Sequence, residues 1–183
     1  SHVTFAPKTL TVAMFSALSL ISLSASALTL DQANKTVTVN EAHTIGIVEE
    51  HGQSHARLFS NDVLAEGAST GTSVASQSEA NGFTLNILES VRCPQEVSTC
   101  SLGAARLKPT GSAVATTSNN TLTLNGSADL RPTNGVGKTS LYSGYIYIAD
   151  QTNAQTMAGR LVSDQNRILI DHLNSLYLGD IVA

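Results

Sequence analysis

Thr36-Val37-Thr38-Val39, Phe83-Thr84-Leu85-Asn86-Ile87-Leu88 and Thr121-Leu122-Thr123-Leu124 decide the fold class. In each stretch apolar residues alternate with polar ones. Successive side chains of a β-strand point to opposite faces, so a period of two buries one face and wets the other. The same reading extends to Thr44-Ile45-Gly46-Ile47-Val48, Tyr145-Ile146-Tyr147-Ile148, Gly159-Arg160-Leu161-Val162 and Arg167-Ile168-Leu169-Ile170.

Turn formers separate these runs. They are Asn81-Gly82, Asn125-Gly126, Pro132-Thr133-Asn134-Gly135, Asp150-Gln151-Thr152-Asn153 and Ser163-Asp164-Gln165-Asn166. Asn, Asp and Gly tolerate the tight backbone conformations that turns require. Many short strands with turns between them predict a mostly β fold, an Ig-like or related β-sandwich. One short helix is expected in Ala56–Ala65, where Ala56, Phe59 and Val63 share a face. No repeat of fixed period is visible. The core is expected to rest on Leu, Ile and Val, with Phe83 and Tyr145 as larger members.

The chain has 183 residues, the length of one domain. Only 13% are charged, the net charge is −4, and aromatic content is 4% with no Trp. No basic cluster is present, which excludes the electrostatic footprint of a nucleic-acid binder.

Residues 1–27 carry a processing signal. Lys8 precedes an apolar run from Leu10 to Leu23, and Ser24-Ala25-Ser26-Ala27 offers small residues for a cut after Ala27. This is the pattern of a cleavable secretory peptide. The run is too short and serine-interrupted for a membrane span, which takes about 20 apolar residues. The expected organisation is a signal at 1–27, an N-terminal extension with first strands at 28–48, and a β-rich domain at 49–183. An exported chain meets an oxidising compartment, so Cys93 and Cys100 are expected to form a disulfide across a short loop.

Three stretches carry residues of chemical interest. Gly67-Ala68-Ser69-Thr70-Gly71 has the spacing of a nucleophile elbow but lacks its strand–turn–helix flanks. Pro132-Thr133-Asn134-Gly135-Val136-Gly137-Lys138-Thr139 ends like a phosphate-binding loop, with Pro132 where the first Gly belongs. Glu49-Glu50-His51-Gly52-Gln53-Ser54-His55 groups two carboxylates and two imidazoles. Gly52 interrupts any helix there and no third metal ligand is indicated, so a solvated turn is expected. The expectation is therefore no catalytic residue, no metal and no cofactor.

Leu28-Thr29-Leu30-Asp31-Gln32-Ala33-Asn34-Lys35-Thr36-Val37-Thr38-Val39 resembles the N-terminal extension of chaperone–usher fimbrial subunits, particularly the colonisation-factor class. The resemblance implies an incomplete Ig-like sandwich completed by a neighbour's strand, with Leu28, Leu30, Val37 and Val39 as the donor-strand residues. Ser76–Ala80, Gly82–Leu85 and the Cys93/Cys100 loop are similar to the helix-to-strand region of type II secretion and type IV minor pilins. Residues 8–30 lack that group's Gly cleavage site and Glu. These resemblances imply a structural subunit of an extracellular fibre, whose partners are copies of itself and a periplasmic chaperone. The alternatives are a secreted monomeric binding domain or adhesin, and a pseudopilin-like minor subunit.

Overall fold

The computed structural model describes residues 28–67, 78–109, 114–131, 138–147, 161–171, 175–177 and 180–182. The signal-like segment at 1–27 and Ser69 lie outside them, as do residues 132–137.

The alternating stretches are strands, and they stack on one another. β1 (Leu28–Asp31) turns back antiparallel onto β2 (Thr36–Val39). β3 (His43–Thr44), β4 (Ile47–Glu50), β5 (Gln53–Phe59) and helix α1 (Ser60–Glu66) complete the first pass. The second pass is β6 (Thr84–Ile87), β7 (Ser90–Arg92) and β8 (Thr99–Leu107). The third is β9 (Ala115–Ser118), β10 (Thr121–Leu124), β11 (Ser127–Asp129) and β12 (Lys138–Ile146). The fourth is β13 (Leu161–Asp164), β14 (Arg167–Ile170), β15 (Ser175–Tyr177) and β16 (Asp180–Val182).

Each of the later passes contributes one strand to each of three sheets, and the first adds a second strand to two of them, β1 and β4. The sheet orders are β1-β2-β6-β10-β14, β15-β11-β7-β3 and β16-β12-β8-β5-β4, and a fourth small sheet pairs β13 with β9. Within the three large sheets, strands from successive passes run parallel. The chain is therefore a solenoid of stacked coils. The mostly β, layered expectation with one short helix holds. The strand pairing adds direction: an Ig-like sandwich pairs its strands antiparallel, whereas among the described residues only the β1–β2 and β4–β5 pairs do so.

The register explains the sequence. Val37, Leu85, Leu122 and Ile168 lie in one row, and Val39, Ile87, Leu124 and Ile170 in another. In the first three coils both rows are fully buried. Val91 and Ala128 continue the core in the second sheet, Leu58, Leu102 and Leu141 in the third. A repeat thus exists, contrary to the sequence reading. It escaped notice because the coils differ in length: the first-sheet strands begin at Thr36, Thr84, Thr121 and Arg167.

A left-handed residue stands one or two positions before the first-sheet strand in every coil. Lys35, Gly82, Asn119 and Gln165 all adopt the left-handed conformation there, with φ of 51°, 74°, 58° and 53°. Asparagines then bind one coil to the next. Asn120 accepts from the Phe83 amide (2.9 Å), and Asn166 accepts from the Asn120 amide (3.1 Å) and side chain (3.0 Å).

The ends of the stack differ. The first coil is closed by antiparallel β1 and β4 and by α1, which buries Val63 and Leu64 and accepts a 2.7 Å hydrogen bond from Gln32 at the Leu64 carbonyl. The helix is shorter than expected. Ala56–Phe59 belongs to β5, because Ala56 and Leu58 pair at strand register with Cys100 and Leu102. At the other end, Leu161, Val162, Leu169, Ile170 and Tyr177 of the last coil are exposed.

Two further expectations are corrected. Cys93 and Cys100 are buried thiols, not a disulfide. They flank the corner between the second and third sheets and both turn inward, where the hydrogen bond with Cys93 and then burial push the Cys100 thiol far up from its ordinary pKa. Among the described residues Phe59, not Phe83 or Tyr145, is the largest fully buried side chain; Phe83 is partly buried and Tyr145 lies on the outer face of the third sheet.

Candidate functional site

The outer face of the third sheet carries a cleft of about 520 Å³. The outward rows of this face follow from strand register. Arg57, Ser101 and Ser140 form one outward row, and Phe59, Gly103 and Tyr142 the next. Gly103 matters by what it lacks. A Cβ there would stand 2.6 Å from the Phe59 ring and 2.8 Å from the Tyr142 carbonyl oxygen. Its absence lets Phe59 lie beside Tyr142, with ring centroids 6.0 Å apart. Tyr145 stacks on Tyr142 at 4.3 Å with 20° between planes, and Tyr147 follows at 6.2 Å.

β8 outruns its neighbour. β5 ends at Phe59, so the backbone of Arg106 has no strand on that side. Asn61 takes the strand's place. Its side chain donates to the Arg106 carbonyl (2.7 Å) and accepts from the Arg106 amide (2.9 Å), all in the interior. This fixes Arg106 beside Tyr147, with the guanidinium 5.4 Å from the ring centroid.

Two arginines give the cleft its charge. Arg57 is 6% exposed and Arg106 4%. Arg57 donates to Glu50 at 2.8 Å. Arg57 Nε and Arg106 Nη1 are buried without a hydrogen-bond partner. Burial first, then the charge of Arg57, lowers the Arg106 pKa from its ordinary value, while Asp62, Glu50 and Tyr145 offset part of that. A guanidinium stays protonated regardless. Burial opposes the charged form of Glu50, but the hydrogen bond and charge of Arg57, with Arg106 and Lys108 behind, outweigh it and hold the carboxyl below its ordinary value. Burial, then Tyr142, pushes the Tyr145 phenol up to about 12.

The His-rich stretch falls at the rim. His51 and Gly52 form the two-residue loop between β4 and β5, both with positive φ (52° and 73°), as a tight hairpin requires. His55 on β5 contacts the Thr99 hydroxyl at 2.7 Å. Among the described residues no group of three or more His, Cys, Asp or Glu is placed to hold a metal ion. The sequence reading singled out this stretch as a solvated turn, yet missed that Glu50, His51 and His55 border a cleft. It also passed over Arg57, Arg106 and Tyr142, which only the coil register brings together.

The residues expected to form a donor strand lie elsewhere. Leu28, Val37 and Val39 fill the chain's own core, and Leu30 is 37% exposed on β1. Gly67 ends α1 in the left-handed conformation (φ 65°), its N–H bonded to the Val63 carbonyl at 2.7 Å. Lys138 and Thr139 open β12, a strand rather than a phosphate-cradling helix. No helix among the described residues is long and apolar enough to cross a membrane. No family model, no curated protein and no solved structure matches this chain.

Proposed function

We propose that the chain is an exported binding module that recognises a surface ligand in the cleft of its third sheet and performs no catalysis. One observation carries this reading. A concave surface joins stacked tyrosines to two arginines that are more than nine-tenths buried and keep unpaired N–H groups. Ligand sites combine apolar and aromatic lining with a few placed polar groups in this way, at volumes of about 300–1,000 Å³. Export is supported by the secretory pattern of residues 1–27. Binding of the full chain to an array of cell-surface glycans tests the module, and Tyr145→Ala is expected to abolish it while the fold persists. N-terminal sequencing of secreted protein should begin at Leu28; retention of residues 1–27 would remove export from the reading.

A second reading, a fibre subunit, draws support from the exposed apolar residues of the last coil. Strand edges template pairing with another copy. For donation by residues 28–39, β1 and β2 would have to leave the core they now share with α1. Negative-stain microscopy separates the readings. Val37→Asp should unfold the monomer if that strand serves its own chain. Loss of filaments from a monomer that stays folded would favour donation.

A further inference from the structure

We infer that the ligand of this cleft is an acidic saccharide, a sugar ring bearing a carboxylate, held between the tyrosine stack and the guanidinium groups of Arg57 and Arg106. The inference rests on the binding-module reading above and names its ligand class.

Charge comes first. Arg57 and Arg106 line the cleft against one carboxylate, Glu50, which leaves positive charge in excess. A buried, unpaired cationic N–H is costly, because burial removes water without supplying an acceptor. Arg57 satisfies one edge of its guanidinium with Glu50 but not Nε, and Arg106 Nη1 has no partner. Both side chains line the cleft, so an acceptor bound there meets their guanidinium groups. The planar guanidinium fork matches a carboxylate in two parallel hydrogen bonds, which a hydroxyl or ammonium cannot do.

The rest of the lining argues for a sugar rather than a simple anion. Tyr142, Tyr145 and Tyr147 are half-buried and stand in one file beside the arginines. Tyrosine offers an apolar ring face with a polar tip, which suits a ligand that has both. The C–H face of a pyranose is such a surface. Ser101, Ser140, Gln53 and Thr99 supply neutral hydrogen-bonding groups around it. A small inorganic anion would use the arginines and leave the tyrosines without purpose. An aromatic acid would use the tyrosines and leave the hydroxyls unpaired.

The test is calorimetric titration of the full chain with three probes: a linear trimer of hexuronic acid, its fully methyl-esterified form, and a neutral hexose trimer. The acid is expected to bind at least tenfold tighter than the ester, and the gap should shrink in high salt. Arg106→Met should erase the preference. Ser101→Glu, a change at a half-buried outward position, should abolish acid binding with the far-ultraviolet dichroism unchanged, which keeps the test valid if Arg106→Met does not fold. Equal binding of acid and ester, or no effect of Ser101→Glu, overturns the inference. Binding of the neutral trimer alone overturns it and leaves the binding-module reading standing. Failure to bind any trimer or any surface glycan removes both.

Discussion

At the residue scale, single polar side chains stand in for missing backbone partners. Asn61 replaces a strand beside Arg106. Asn61→Ala leaves a buried N–H and a buried carbonyl without partners, at roughly 1–3 kcal/mol each. Urea unfolding should show a loss of about 2–6 kcal/mol. His43 responds to acid. Burial pushes its pKa below the ordinary 6.5, and its Nε2 is buried without a partner. The unfolded chain therefore takes up the proton first as pH falls. Stability contributed by the neutral ring is complete above 6.5 and declines below it toward the folded pKa. Urea midpoints measured from pH 7.5 to 5 should fall less steeply in His43→Gln. None of this was legible in the sequence, where Asn61 read as one helical residue among ten and His43 showed no pattern.

At the element scale, the strands were legible and their partners were not. Thr36–Val39, Thr84–Ile87, Thr121–Leu124 and Arg167–Ile170 announce themselves by alternation, a local property. Parallel pairing in register is not local, since it joins residues one coil apart and the coils vary in length. β8 escaped for another reason. Thr99–Leu107 holds Gly103, Ala104 and Ala105, and small residues carry little hydrophobic signal even when fully buried. Corners were read as turns, correctly at Asn81-Gly82 and Asn125-Gly126, but as breaks between separate strands rather than bends in a coil. Gly126 shows the difference. A Cβ there would collide with the backbone of Glu89 in the coil beneath. Gly126→Ala should cost about 1–3 kcal/mol by forcing two coils apart. Gly52→Ala, with open space around it but φ of 73°, should cost only about 1–2 kcal/mol of backbone strain. Thermal unfolding of the pair measures the contrast.

At the scale of the whole molecule, the candidate site exists only because three coils coincide. Arg57 comes from the first, Ser101 and Arg106 from the second, and Tyr142 and Tyr145 from the third. No continuous stretch of sequence holds that constellation, so motif reading had no purchase on it. The stack also has a direction. Its first coil is closed by antiparallel strands and a helix, and among the described residues its last presents an open edge. Coils that contact only their neighbours open from whichever end is cheaper to fray. Deuterium uptake by backbone amides should then act as a clock along the axis: fastest at Ile168 and Leu169, slower at Leu122, slowest at Val37 and Leu85. A ligand clamped across the first three coils would slow the inner amides and leave the outermost coil ticking at its own rate.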